Sequence, residues 1–275
     1  MWLQVNGRRA YAYTGGRAFD ASRPVIAFAH GAQHDHSVWI LQTRYLAHHG
    51  YSVLAVDLPG HGRSDGPLLP TIEAMADWLL AALDAAGVTG KAMLVGHSMG
   101  SLIALDAAAR APARVDRIAL VGSVFPMPVS DVLLDAARND EPRAFDMINR
   151  WSHFSLYDPP ANPTPGFSIW HQNRQLMARQ KPGVLLNDFE ACNAYQAGFE
   201  RADALRCPVL FVVGQRDQMT PPRAARPLID RCAAALASHG LPAPEVVEIA
   251  NCGHALMTEK PQAVLTALRD FGPRA

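Results

Sequence analysis

The sequence lacks an excess of charge of either sign. Its 25 basic residues balance 25 acidic ones, and charged residues make up only 18% of the 275 positions, below the usual share of about 25%. No Lys/Arg cluster stands out, so the electrostatic pattern of a nucleic-acid-binding protein is missing. No apolar run reaches the roughly 18 residues of a membrane span, and the N-terminus does not resemble a signal peptide. We therefore expect no nucleic-acid partner, no membrane span and a cytoplasmic location.

Cysteines are also few, and their spacing matches neither a C-x-x-C redox pair nor a zinc knuckle. The four are Cys192, Cys207, Cys232 and Cys252. We expect reduced residues that pack in the interior. Because hydrophobic residues make up 49% of the chain, a large core is available and a disordered protein is excluded.

The apolar pattern predicts an α/β fold. Asn6-Gly7 between two strand-like runs predicts a tight β-hairpin. Short continuous apolar runs follow, as is typical of strands buried on both faces of a parallel sheet. These runs are residues 25–29, 53–56, 92–95, 118–121, 209–213 and 246–249. Segments of helix length lie between most of them, at 38–49, 72–86, 99–110, 223–238 and 262–271. The alternation predicts a mostly parallel, twisted sheet with helices on both faces.

One interval, residues 126–201, breaks this alternation. It has no comparable buried run, and its prolines interrupt any long helix. We interpret it as a helical cap with an irregular middle, inserted into a core formed by residues 1–125 and 202–275. Most of its apolar side chains should pack the cap onto the core. The candidates for a substrate pocket are Trp151, Phe154, Trp170 and Tyr195, together with Gln33 from the core.

The sharpest motif is G-x-S-x-G at residues 96–100, between a predicted strand and a predicted helix. An abrupt strand-to-helix turn holds the serine in a strained conformation with its hydroxyl exposed. The helix N-terminus also offers unpaired N–H donors to a developing oxyanion. We therefore predict that Ser98 is a nucleophile.

A serine nucleophile needs a base, and the base needs an orienting acid. Asp217 and His254 each stand just past a predicted strand, and the carboxyl ends of parallel strands meet at one edge of a sheet. We therefore expect Ser98, Asp217 and His254 to converge. The alternative acids are Asp57, Asp131 and Asp203.

The loop after residues 25–29 can complete an oxyanion hole. A backbone N–H from this loop, that of Ala32 or of its competitor Gln33, would pair with the N–H of Met99. His30 should brace the loop through hydrogen bonds, and His34 and His36 could reach the pocket. These histidines lack a supporting carboxylate pattern, so we expect neither a metal nor another cofactor.

These motifs together resemble the α/β-hydrolase fold superfamily, in particular its cap-bearing serine hydrolases and esterases, from about Pro24 to Pro261. The D-L-P-G-H-G-R-S segment at 57–64 resembles a loop that such proteins carry after an early strand, and its Gly and Pro suit tight turns. The resemblance implies catalytic roles for Ser98, Asp217 and His254. It also implies oxyanion donors at Ala32 and Met99.

The predicted function is hydrolysis of a small-molecule carboxylic ester or lactone through an acyl-enzyme intermediate. Ser98 stands where related dehalogenases and epoxide hydrolases have an aspartate, which disfavours both activities. His97 and Met99 depart from the G-G-S-W-G of proline iminopeptidases. Alternatives with the same triad are a C–C bond hydrolase, a thioesterase or a perhydrolase, and the non-enzymatic alternative is a small-molecule-binding protein. Whether the chain forms a homodimer is left open.

Overall fold

The computed structural model describes residues 1–154 and 168–273. Within these residues, eight strands form one sheet in the order β1-β2-β4-β3-β5-β6-β7-β8. Their bounds are β1 Trp2–Val5, β2 Arg8–Tyr13, β3 Val25–Ala29, β4 Ser52–Val56, β5 Ala92–His97, β6 Val115–Val121, β7 Val209–Gly214 and β8 Glu245–Ile249. β2 pairs antiparallel with β1 and β4, and the other pairs are parallel. The predicted fold class is confirmed.

The helices of the core are α1 Ile40–His48, α2 Ile72–Ala85, α3 Met99–Arg110, α9 Pro222–Ser238, α10 Leu256–Glu259 and α11 Pro261–Phe271. The segment predicted as one helix at 38–49 instead starts with a 3-10 turn at His36–Trp39. The carboxylate of Asp35 caps this turn by accepting from the N–H of Ser37. The short helix α10 was not predicted from the sequence.

The continuous apolar runs arise because both faces of the sheet are covered. Successive side chains of a strand point to opposite faces. Leu94 of β5 therefore packs in the apolar cluster that includes α2 and α3, while Met93 and Val95 pack in the cluster that includes α1 and α11. All six residues of β5 are buried, which holds the end of this strand in a fixed position.

Within the described residues between β6 and β7 there are five helices. They are α4 Asp131–Asn139, α5 Glu141–Ser152, α6 Ile169–Ala178, α7 Val184–Ala194 and α8 Gly198–Asp203. Residues of α4 to α7 share an apolar cluster of their own, formed around Phe145, Met177 and Phe189. No strand occurs in the described part of 126–201, whereas most of the predicted irregular middle falls on 155–167, outside the described residues.

The division of the chain into a core and a separate cap at residues 126–201 stays a prediction. Helix α8 runs past the predicted boundary at 201 and packs against α3 and α9 of the core. Across residues 1–154 and 168–273, no helix combines the length and the apolar character that crossing a membrane requires.

Candidate active site

Ser98 stands at the sharp turn from β5 into α3. Its backbone has φ +52° and ψ −119°, a strained conformation for a residue with a side chain. Its N–H donates to the carbonyl oxygen of Val121 at the end of β6 (2.9 Å). A Cβ atom on Gly96 would overlap the carbonyl of Gly100, and one on Gly100 would lie 2.7 Å from the carbonyl oxygen of His30. The two glycines therefore allow the close backbone contacts that this turn needs.

His254 and Asp217 form a buried hydrogen-bonded pair. They follow the neighbouring strands β8 and β7, and Nδ1 of His254 donates to Oδ2 of Asp217 (2.8 Å). The other oxygen of Asp217 accepts from the N–H groups of Met219 (2.8 Å) and Thr220 (2.7 Å). The hydroxyl of Thr220 donates to Oδ2 (2.6 Å). Four donors thus fix this carboxylate in one orientation.

The same contacts control the ionisation of Asp217. Burial raises the pKa of this carboxyl, but the charge of His254 and the hydrogen bonds from His254 and Thr220 outweigh burial and leave the pKa below its usual value. An ionised Asp217 favours a proton on Nδ1 of His254. In the neutral form of the ring, Nε2 is therefore the nitrogen that lacks a proton and can accept one.

The imidazole of His254 lies in the neighbourhood of Ser98. The Cε1 atom of His254 is 3.1 Å from the position of a Cβ on Gly122, the residue after Val121. Nε2 of His97, the neighbour of Ser98, donates to the carbonyl oxygen of His254 (2.9 Å). In the described chain no hydrogen bond joins the Ser98 hydroxyl to His254, and in ligand-free sites such bonds are often long until substrate binds.

The alternative acids lie elsewhere. Asp57 accepts from Nδ1 of His36 (2.7 Å). Asp203 is exposed and forms an ion pair with Arg231. Asp131 is exposed at the start of α4. The structure pairs only Asp217 of these four carboxylates with His254.

The loop after β3 presents Ala32 beside Ser98, and both residues line one cavity. The N–H of Gln33 already donates to Oδ2 of Asp188 in the cap (2.9 Å). Met99 is the first residue of α3, so its N–H has no acceptor within the helix. The N–H of Gln33 is thus occupied, and the roles of Ala32 and Met99 as oxyanion donors stay a prediction.

The cavity at Ser98 has a volume of about 330 Å³. It is lined by Ala32, Ser98, Met127, Pro128, Val129, Ser130, Leu133, Trp151, Phe189, Cys192, Gln218, Met219 and Thr220. None of these side chains is an acid, a base or an ammonium group, and burial raises the pKa of the Cys192 thiol, which stays neutral. The cavity therefore suits an uncharged group.

Only Trp151 among the five predicted pocket residues lines this cavity. Gln33 is fully buried, and its side-chain amide donates to the carbonyl oxygen of Met177 (3.0 Å). The indole N–H of Trp170 donates to the carbonyl oxygen of Asn149 (3.2 Å). Gln33 therefore links the core to the cap, and Trp170 links two helices of the cap.

The other two predicted pocket residues also lie away from the cavity. The hydroxyl of Tyr195 donates to Asp106 of α3 (3.0 Å), and its ring packs edge-on against Phe125. Phe154 is 42% exposed to solvent. The aromatic composition of the cap thus did not identify the residues that face Ser98.

The histidines of the β3 loop act as hydrogen-bonding partners. His30 donates from Nδ1 to the carbonyl oxygen of Gly31 (2.9 Å) and accepts at Nε2 from the N–H of Leu58 (3.2 Å), so it braces two loops. Nε2 of His34 bonds to Oδ1 of Asn173 in the cap (3.0 Å). His36 contacts Asp57 and does not line the cavity.

Asp35, His36 and Asp57 bring three potential metal ligands within 4.8 Å of one another. Arg179 donates to both oxygens of Asp35. Burial raises the pKa of Asp35, but the hydrogen bonds from Arg179 and Ser37 outweigh it and hold the pKa far below its usual range. The guanidinium already supplies the positive charge that a metal ion would bring.

Three residues of this region were not found from the sequence. Thr220 lies three positions after Asp217, and this spacing is a local signal for a side chain that bonds back to the carboxylate. Asp188 and His61 are buried partners separated by 127 positions. No local pattern identifies such a pair.

The chain belongs to the α/β hydrolase fold family, because the family model matches residues 24–261. A pimeloyl-(acyl-carrier protein) methyl ester esterase of Aromatoleum aromaticum is 29% identical over 263 residues, covering 90% of this chain and 98% of the esterase. The dihydrolipoyllysine-residue acetyltransferase component of the acetoin cleaving system of Cupriavidus necator is 39% identical over 125 residues. That match covers 45% of this chain and 32% of the relative, so this chain spans about a third of that protein.

The fold is shared with solved structures of low sequence identity. The enol-lactonase from Burkholderia xenovorans superimposes with a TM-score of 0.82 at 23% identity, covering 98% of this chain and 99% of the lactonase. Esterases and lactonases are thus among the proteins that this chain resembles.

Asp217→Asn should lower the free energy of unfolding at neutral pH, and the difference from wild type should shrink in acid. A carboxyl whose folded pKa is depressed stabilises the fold above its unfolded pKa of about 3.9. This contribution is lost as the pH falls through the folded value. Urea denaturation at about pH 7 and about pH 3 measures both differences.

Asp203→Asn is the matched control, because it makes the same change at an exposed site, where loss of the ion pair with Arg231 should alter stability by less than about 1 kcal/mol. A stability difference for Asp217→Asn that grew on acidification would contradict the depressed pKa.

Proposed function

We propose that this protein is a serine hydrolase that cleaves a carboxylic ester, open-chain or cyclic, through an acyl-enzyme intermediate on Ser98. The observation that carries the proposal is the buried Asp217–His254 pair beside a serine held at positive φ and open to a cavity. A binding protein would have no need of a base that is hydrogen-bonded to an acid held in one orientation by four donors.

The chemistry follows from the orientation of His254. Asp217 holds Nδ1–H, so Nε2 takes the proton of Ser98 as Oγ attacks the ester carbonyl carbon. The N–H groups of Ala32 and Met99 stabilise the oxyanion of the tetrahedral intermediate. This intermediate collapses as Nε2 gives its proton to the leaving alkoxide. Water, deprotonated by the same nitrogen, then attacks the acyl-enzyme and releases the acid and Ser98.

The cavity supports a neutral and mostly apolar group on the substrate. Its walls combine the apolar side chains of Leu133, Trp151 and Phe189 from the cap with core loops next to Ser98. A carboxylate bound here would lose its hydration without gaining a cationic partner from the walls, which is costly. We propose that residues 126–201 act as a cap that forms one side of this pocket.

The names of the relatives support the class of bond that is cleaved rather than a particular substrate. One is named as a methyl ester esterase and another as an enol-lactonase, and both names describe cleavage of a carboxylic ester bond. An uncharged pocket next to the nucleophile is compatible with this chemistry.

Ser98→Ala should abolish hydrolysis of a short-chain aryl ester, with a loss of about 10⁴-fold or more in kcat, because no other group forms the covalent bond. Circular dichroism should show an unchanged fold. Ser238→Ala, at an exposed serine near the end of α9, is the matched control and should keep the wild-type rate. A Ser98→Ala variant that retained half of the wild-type rate would exclude this nucleophile.

A comparison of two acyl groups of equal length tests the uncharged pocket. The aryl ester of butyrate should have a kcat/KM at least about tenfold above that of the hemisuccinate, because the hemisuccinate places an unpaired carboxylate in the cavity. The methyl-capped succinate removes the charge and should recover most of the loss. Equal or faster hydrolysis of the hemisuccinate would show that the acyl group does not occupy this cavity.

A further inference from the structure

Gln33, the residue after Ala32, is held in place by hydrogen bonds to the cap. Gln33 is fully buried and has φ +58°, an unfavourable conformation for a non-glycine residue. Its N–H donates to Oδ2 of Asp188 in α7 (2.9 Å), and its side chain donates to the carbonyl oxygen of Met177 at the end of α6. Two contacts with the cap therefore stabilise the strained residue.

Asp188 also binds a second core loop through the same oxygen. Nε2 of His61 donates to Oδ2 of Asp188 (2.9 Å), and Nδ1 of His61 donates to the carbonyl oxygen of Pro59 (3.1 Å). Both ring nitrogens therefore face acceptors, an arrangement that the doubly protonated imidazolium satisfies. Burial lowers the pKa of His61, but the charge and hydrogen bond of Asp188 outweigh burial and raise it.

The ring of His61 packs against the residue that starts the loop. The ring centroids of His61 and His30 are 4.9 Å apart. Burial and the neighbouring charge of His61 lower the pKa of His30 to about 4, so His30 is neutral. A neutral ring fits the donation from its Nδ1 to Gly31 and the acceptance at its Nε2 from Leu58.

We propose that Asp188 of the cap is a positioning residue for the oxyanion hole, because it fixes the peptide between Ala32 and Gln33 directly and supports His30 through His61. Neither Asp188 nor His61 lines the cavity at Ser98, so both act through the loop rather than on the substrate. This inference rests on the proposed function of Ser98, and it goes further by making the cap part of the catalytic geometry.

The size of the expected effect follows from the geometry that an oxyanion donor requires. A donor must lie about 2.7–3.1 Å from the oxyanion, and removal of one such donor costs about 10² to 10³ in kcat. Asp188→Asn leaves the Ala32 N–H in the chain but removes the negative charge that holds His61. The loop can then shift, and we expect kcat to fall by a part of the loss that removal of a donor causes.

The test compares Asp188→Asn with wild type in ester hydrolysis and in inhibition by an aliphatic trifluoromethyl ketone. The hemiketal that this inhibitor forms with serine carries an oxyanion, so its affinity measures the oxyanion hole. We expect kcat to fall about 10- to 100-fold, KM to change less than about threefold, and inhibitor affinity to fall in parallel with kcat/KM. Glu190→Gln is the control, because it makes the same change of charge at an exposed site on α7.

His61→Gln is a second test of the positioning role, since glutamine can donate to Asp188 but cannot carry a positive charge. It should lower kcat and inhibitor affinity in the same direction, and it serves as the test if Asp188→Asn does not fold. If neither variant folds, the pair acts on stability alone and the inference is overturned.

Ser98→Ala, measured alongside, separates the two proposals. If Ser98→Ala keeps its turnover, the proposed function is wrong and the positioning role falls with it. If Ser98→Ala is inactive while folded Asp188→Asn keeps kcat and inhibitor affinity within about twofold, only the positioning role is overturned.

Discussion

The structure around Ser98 depends on one constraint, the close approach of the start of α3 to the ends of β3 and β5. This approach places Ser98 in a backbone conformation whose cost is of the order of 1–3 kcal/mol. Burial of nearly every residue of α3 between the sheet and its neighbouring helices offsets this cost. Because the flanking strands are buried on both faces, the turn cannot relax without moving the core. The packing of the whole sheet therefore holds Ser98 in this backbone conformation.

Buried carboxylates fix the groups around this turn. Asp217 orients His254 and accepts from the loop that contains Thr220. Asp188 holds Gln33 and His61 in the same way from the cap side. A buried carboxylate is stable only when its oxygens are satisfied, so each one fixes the directions of several donors. Asp217 and Asp188 therefore fix the positions of their hydrogen-bond donors on both sides of Ser98.

The sequence predicted the parts of the structure that depend on local pattern. The buried runs and the G-x-S-x-G turn are contiguous, so the parallel strands and the turn at Ser98 are visible without tertiary information. The pairing of Asp217 with His254 followed from their places after neighbouring strands. The predicted catalytic roles of Ser98, Asp217 and His254 stay predictions.

The sequence could not show which faces of the cap helices meet the core. Tyr195 is aromatic and lies in the cap, but its hydroxyl is bound by Asp106, 89 positions away. Leu133 and Phe189 line the cavity instead, although nothing in their local sequence separates them from ordinary packing residues. The partnership of Asp188 and His61 is equally non-local. Such contacts depend on how helices dock, which amphipathic periodicity leaves undetermined.

The most direct measurement of the central claim is the mapping of a covalent adduct formed by a serine-directed aryl phosphonate, by intact mass and peptide mass spectrometry. The account predicts a single adduct on the peptide that contains Ser98, and it predicts that the adduct forms much more slowly in Asp217→Asn, where His254 loses its orienting charge. An adduct on a different residue, or an equal rate in Asp217→Asn, would contradict the account of Ser98 as a nucleophile activated by the buried His254–Asp217 pair.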